Sequence, residues 1–201
     1  MSFLSRVADL LILNLIFIVT CLPIITIGSA LTSLYSITLK MVKGEEDYIF
    51  VGYFKAFKRN FKISFISWLI LLVAFFLLYL DFQISRLLTG TISLILTSFL
   101  FFLLFVCLTV TLYLFAYIAR FENTLKHSFK NAFLIAFSSL QYTFLLLIMT
   151  GGSIAISFFV IPFQYAILIW FLFGFSGLSL AQALIFRRIF AKYEPSTDPQ
   201  E

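Results

Sequence analysis

The sequence is poor in the residues that carry most enzyme and metal chemistry. Its 201 residues include two cysteines and one histidine, and charged residues make up 11% of the chain. Cys21 and Cys107 lie in different apolar runs without metal-ligating neighbours, so we predict neither a disulfide framework nor a metal site. His127 lies between Lys126 and Lys130, where a histidine is usually a solvated side chain. No nucleotide-binding glycine loop or convergent catalytic set is recognisable. We therefore predict a non-enzymatic protein with no catalytic residues and no cofactor.

The chain is unusually rich in apolar residues. Hydrophobic residues make up 62% of the chain, and 28 of its residues are phenylalanine, far beyond what a soluble domain contains. A membrane-spanning helix needs about 20 apolar residues. We predict an all-α polytopic membrane protein with a single domain over residues 1–193 and a disordered polar tail over 194–201. Four runs carry no charge: Leu10–Leu39, Ile63–Leu80, Leu87–Ala119 and Asn131–Phe186.

The basic residues indicate how the chain is oriented. With six helices crossing and both termini in the cytoplasm, thirteen basic residues fall on the cytoplasmic side and only Arg86 lies outside, as the positive-inside rule requires. Five spans with an external N-terminus give twelve against two, so six are favoured and five remain possible. The net charge of +5 is then explained by the membrane rather than by nucleic acid. The six helices form three hairpins joined by two amphipathic cytoplasmic connectors, with predicted ranges 3–22, 24–42, 63–81, 88–119, 138–160 and 163–186.

The stretch Leu22–Tyr35 divides the first apolar run into a helical hairpin. Pro23 cannot continue a helix, and Gly28 opens a new helical pattern. The break is either a turn between membrane helices or a site where free N–H groups face an anionic or polar ligand. No cation lies nearby, which favours the turn. Small residues at four-residue spacing allow close helix contact. The candidate helix-break and packing residues are Pro23, Thr26, Gly28, Thr32 and Ser36.

The first connector, Lys43–Lys62, is the most informative polar stretch. Acidic residues begin it and basic residues end it, an order that suits a helix dipole. Its aromatic residues recur at helical spacing with the bases on the opposite flank. We predict a helix lying in the membrane interface, and the alternative is a docking surface for a cytoplasmic partner. The candidate interfacial or docking residues are Phe54, Lys55, Phe57, Lys58, Arg59 and Lys62.

The N-terminal half of the chain carries a recognisable set of residues in sequence order: Arg6, Asp9, Asn14, Leu22-Pro23, Thr26-Ile27-Gly28, Leu34-Tyr35, Lys40, Gly44-Glu45-Glu46, Phe54, Phe57-Lys58 and Asn60-Phe61. With this set, residues 1–80 resemble the YesL-like family of bacterial integral membrane proteins, which is classed as domain of unknown function 624. Ser29 departs from the alanine or proline that many relatives carry there. The resemblance implies a bacterial cell-membrane protein encoded near carbohydrate-uptake ABC transporters and two-component regulators.

That context suggests an accessory or regulatory partner of an oligosaccharide ABC importer. Two alternatives remain. The chain could itself bind a small solute, since its size is similar to that of the substrate-binding subunits of energy-coupling-factor transporters, although their alanine-rich docking motif is missing from residues 10–20. It could instead be a structural partner of a sensor kinase. The expected partners are therefore membrane lipid and either importer subunits or a kinase.

The charge asymmetry generates a topology prediction. Reporter fusions after Leu88 and after Lys192 should give opposite signals, because the first lies outside and the second in the cytoplasm. Like signals from the two fusions would rule out the six-helix topology. An external Ser2 would favour five spans.

Overall fold

Every regular element in the computed structural model is helical across residues 3–45 and 48–193, the part of the chain that it describes. This confirms the predicted all-α fold class. A 3₁₀ turn, Ile24–Thr26, precedes the second helix, and a π turn, Trp170–Gly174, precedes the last. The predicted polar tail 194–201 lies outside the described residues. The helices are α1 (Phe3–Cys21), α2 (Ile27–Lys43), α3 (Ile49–Ser85), α4 (Thr91–Arg120), α5 (Leu125–Ser138), α6 (Leu140–Phe159), α7 (Phe163–Ile169) and α8 (Phe175–Phe190).

Five helical segments in the described ranges are long and apolar enough to cross a membrane. They correspond to the second through sixth predicted spans. The first predicted span is helical as α1 but is not among the five, so the number of spans remains a prediction. The five segments are Ile24–Lys43, Ile49–Ser85, Thr91–Arg120, Leu140–Phe159 and Phe163–Phe190.

The first connector is not a separate helix, and this part of the prediction is wrong. Residues 49–62 and the predicted span 63–81 form one continuous helix, α3, of 37 residues. At 1.5 Å per residue it is about 55 Å long, well beyond the roughly 30 Å hydrocarbon core. The change from charged to apolar sequence at Lys62 alters the surroundings of the helix without interrupting its backbone. The second connector is separate, as α5, because the backbone of Ser139 leaves helical geometry.

Helix α2 occupies the centre of the bundle. Every residue from Thr32 to Leu39 is buried, because α2 packs against α1, α3, α4 and α8. By contrast, the apolar side chains of α6 and of the C-terminal half of α3 are largely exposed. A helix buried on all sides has no room for a lipid-facing surface. Its many small residues allow four neighbours to approach it at once.

An aromatic junction joins α2, α4 and α8. The ring of Phe186 on α8 meets Tyr113 of α4 at a centroid distance of 5.2 Å and Tyr35 of α2 at 5.7 Å, both edge to face. Such pairs add about 0.5–1.5 kcal/mol each beyond the area that they bury. All three rings are buried. The junction therefore fixes α8 against the centre of the bundle.

The last predicted helix, 163–186, is interrupted by the π turn, and Asn14 of α1 inserts its amide there. Its Nδ2 donates to the carbonyl oxygens of Trp170 at 3.0 Å and Phe171 at 2.6 Å. Its Oδ1 accepts from the backbone N–H groups of Phe175 at 3.1 Å and Ser176 at 3.0 Å. A side chain inserted into the hydrogen-bond ladder is a known cause of helix irregularity. The fully buried Asn14 thus satisfies four backbone groups that a widened turn leaves poorly paired.

We expect Asn14→Leu to lower the free energy of unfolding by about 1–3 kcal/mol, because it leaves buried backbone groups unpaired. The measurement is thermal or denaturant unfolding of purified protein in mild detergent. Gln83→Leu is the control, because Gln83 is an exposed amide whose only described side-chain bond is to Tyr79 on the same helix. Equal effects of the two substitutions would show that the Asn14 amide does not hold the turn.

Candidate functional site

The break between α1 and α2 is closed by side-chain hydrogen bonds. Pro23 has extended backbone geometry, with ψ at 116°. The Thr26 hydroxyl lies 2.7 Å from the carbonyl oxygens of both Thr20 and Pro23, and the Trp68 indole N–H donates to the carbonyl of Ile24 at 2.7 Å. These bonds supply partners for carbonyl groups that the interrupted helix releases.

The outer surface of this break is apolar. The side chain of Leu22 is 75% exposed and that of Ile24 is 66% exposed. A site for an anion would need polar donors or cations at its surface. The geometry therefore favours the turn between membrane helices over the ligand site.

Gly28 marks the closest approach of α2 to α3. A Cβ atom at this position would lie 2.6 Å from the Ser64 carbonyl oxygen and 2.6 Å from the Trp68 Cβ, closer than real Cβ contacts. One turn later, the Thr32 hydroxyl lies 2.8 Å from the Ser64 hydroxyl. Ser36, a further turn along, is also buried. The three residues at four-residue spacing thus lie in the interior, and the first two lie directly against α3.

The side of α2 that meets α8 carries a second set of polar contacts. The Tyr35 hydroxyl donates to Oε1 of Gln182, whose Nε2 donates to the Thr150 hydroxyl at 2.8 Å. The Thr38 and Ser179 hydroxyls lie 3.0 Å apart. These contacts link α2, α6 and α8 through buried or half-buried groups. Sequence reasoning did not identify them, although Gln182 is an isolated amide within a 56-residue run without charge.

The basic face of α3 points away from the bundle. The side chains of Lys55, Lys58, Arg59 and Lys62 are all exposed, whereas the opposite face, including Ala56, is buried. These four bases therefore form an exposed strip on the first part of α3, the basic strip.

The aromatic residues of this segment do not share one role as predicted. Tyr53 is fully buried and Phe57 packs beside it against the cluster that α1 and α2 form, while Phe50 and Phe54 remain 60% and 41% exposed. The Tyr53 hydroxyl lies 2.7 Å from the Thr20 hydroxyl. Tyr53 and Phe57 therefore face the bundle rather than lipid, because α1 and α2 cover part of this face of α3.

One ion pair connects the basic strip to the link after α4. The Arg59 Nη1 lies 3.7 Å from Glu122 Oε1, and the two side chains are 51% and 79% exposed. Exposed pairs of this kind contribute about 0–1 kcal/mol. Lys55, Lys58 and Lys62 have no hydrogen-bonding or ion-pair partner within the described ranges. Most of the strip's charge is thus available to another molecule.

No group of three metal-ligating side chains occurs among the described residues. Cys21 and Cys107 are free thiols in separate helices. The features open to function are accordingly the basic strip and the grooves between helices.

Over residues 3–45 and 48–193 the fold is all-α and contains five helical segments long and apolar enough to cross a membrane, which is typical of polytopic membrane proteins. Residues 10–82 match the family model described as "Protein of unknown function, DUF624". The match confirms the resemblance seen in the N-terminal sequence. Comparisons with curated proteins and with solved structures found no match.

We expect Gly28→Ala to destabilise the fold by about 1–3 kcal/mol, because the added methyl group overlaps the backbone of α3. Gly152→Ala is the matched control, because a Cβ there meets no atom within 4 Å and alanine is the better helix former. Unfolding in detergent should separate the two variants. Equal stability of the two variants would mean that α2 and α3 do not approach closely at Gly28.

Proposed function

We propose that this chain is a non-enzymatic protein of the bacterial cell membrane that acts as an accessory or regulatory partner of a carbohydrate ABC importer. The observation that carries the proposal is the basic strip, which lies within the segment that matches the family. The carbohydrate context comes from the family resemblance. The strip supplies a surface through which a partner could be bound.

The strip is held rigidly, which suits a binding surface. Tyr53 and Ala56 lie on the buried side of the same helical turns and are at most 5% exposed. Because Tyr53 packs against α1 and α2, α3 cannot rotate its bases away from solvent. Fixed charges need little ordering when a partner binds, so less conformational entropy is lost. An acidic surface is the chemical complement of such a strip.

The charge asymmetry of the sequence supports a cytoplasmic position for the strip. Importer subunits and sensor kinases both present surfaces on that side. The importer is the first candidate because transport genes define the family context, and the kinase is the second. A cytoplasmic strip next to the bilayer also attracts anionic lipid, which is worth about 1 kcal/mol per base.

The rival function, direct binding of a small solute, has one observation in its favour. Asn60 Nδ2, Ser67 Oγ and Thr109 Oγ1 are buried without a hydrogen-bond partner in the described structure. Unpaired buried polar groups can mark a ligand or water position. They lie on two helices, α3 and α4. By contrast, the buried polar side chains of Thr32, Tyr35 and Gln182 are hydrogen-bonded within the protein, so they are not open to a solute.

The test reverses charges that have no partner among the residues that the structure describes. We expect Lys55→Glu with Lys58→Glu to reduce co-purification of importer subunits from native membranes and to slow oligosaccharide uptake. Arg59 is left unchanged because it pairs with Glu122. The control is Lys126→Glu with Lys130→Glu, an equal charge reversal on exposed residues of α5.

Four outcomes separate the alternatives. Equal loss in both double variants would indicate a general electrostatic effect on membrane binding rather than a partner at the strip. Normal uptake in a strain that lacks the whole chain would remove the importer proposal. Co-purification of a kinase without any change in uptake would support the second partner, and solute binding by the purified chain would support the rival.

A further inference from the structure

A second surface feature is a groove of about 700 Å³ between α6 and α8. Its walls are mainly aliphatic, with Leu145 and Met149 on one side and Ala181 and Leu184 on the other. Both helices belong to segments that are long and apolar enough to cross a membrane. The groove therefore opens toward the region where lipid chains would lie.

The pairing of the two helices gives the groove a direction. The Gln182 Nε2 donates to the Thr150 hydroxyl at 2.8 Å, and α6 and α8 run antiparallel on either side of this bond. Tyr142, near the start of α6, consequently lies opposite the end of α8 that carries Arg187 and Arg188. Met149 and Ala181 lie at the other end. One end of the groove is cationic and aromatic, and the other is apolar.

The two arginines at the cationic end differ in their contacts. Arg187 Nη1 donates to the Val42 carbonyl at 3.0 Å, which holds its guanidinium beside the end of α2. Arg188 is exposed and makes no hydrogen bond or ion pair with any part of the chain that the structure describes. No acidic residue lines the groove among the described residues. Guanidinium groups bind phosphate through paired N–H donors, so this end is suited to a phosphate.

We propose that the groove is a binding site for one anionic phospholipid. The headgroup phosphate lies at Arg188 and Arg187, near Tyr142, and an acyl chain follows the aliphatic walls toward Met149. Charge complementarity selects an anionic headgroup, while the apolar walls select a chain over free phosphate. Basic pockets between membrane helices on the cytoplasmic side are known sites for anionic lipid headgroups. The basic strip of α3 is a different surface and plays no part in this site.

The test titrates purified protein in detergent with phosphatidylglycerol and, separately, with phosphatidylcholine of identical acyl chains. Lipid binding is read by native mass spectrometry and by the unfolding temperature. We expect phosphatidylglycerol to bind more tightly and to raise the unfolding temperature more. Arg188→Gln should weaken phosphatidylglycerol binding about tenfold, which is the effect of losing one charge-assisted hydrogen bond. Arg86→Gln is the control for net charge. Arg86 follows the C-terminal end of α3 and does not line the groove, so this change should leave binding unchanged.

A second variant tests the apolar part of the site. Ala181→Phe fills the far end of the groove without changing charge, so it should weaken long-chain phosphatidylglycerol but not a short-chain analogue. Equal effects of Arg188→Gln and Arg86→Gln would overturn the proposal in favour of diffuse attraction. Insensitivity to Ala181→Phe would overturn it in favour of a phosphate-only site. Equal binding of the two lipids would also overturn it and would leave the groove to a partner helix.

Discussion

The close contact between α2 and α3 at Gly28 is the constraint on which the rest of the structure depends. Because the position lacks a side chain, the Ser64 carbonyl and Trp68 can lie against the α2 backbone, and the Thr32 hydroxyl reaches that of Ser64. This contact places α2 in the centre, where four helices cover it. It also orients α3, so that Tyr53 faces inward and the basic strip faces outward.

Placing a polar helix at the centre requires that its polar groups find partners, since unpaired groups in an apolar interior are costly. Tyr35 and Thr38 meet Gln182 and Ser179 of α8, so the same helix that packs against α3 also fixes α8. Asn14 provides hydrogen-bond partners for buried backbone groups in the same way, because its amide bonds to backbone groups at the π turn. Hydrogen bonds as well as close packing of side chains therefore specify the interior. The surfaces that contact lipid and partners are the exposed ones.

The features predictable from sequence were those encoded locally. Pro23 ends the first helix within one residue of its observed end at Cys21, and the predicted break between the ranges 138–160 and 163–186 coincides with the turn between α6 and α7. The spacing of Gly28 and Thr32 predicts the face of α2 that packs closely against α3. The features missed depend on distant residues. The π turn is held by Asn14, some 156 residues away along the chain, and Tyr53 turns inward because α1 and α2 cover it. The sequence changes from charged to apolar at Lys62, and this change predicts a boundary between two helices. The backbone of α3 nevertheless stays helical across Lys62.

The central position of α2 is tested most directly by a cross-link between Thr32→Cys and Ser64→Cys, in a chain whose Cys21 and Cys107 are replaced by alanine. The two hydroxyl oxygens lie 2.8 Å apart, so the substituted thiols should reach the roughly 2 Å bonding distance after small shifts. The account predicts rapid disulfide formation in intact membranes on mild oxidation, and none between Thr32→Cys and Ser93→Cys at the start of α4. Absence of the first cross-link, or equal formation of both, would contradict the packing of α2 against α3.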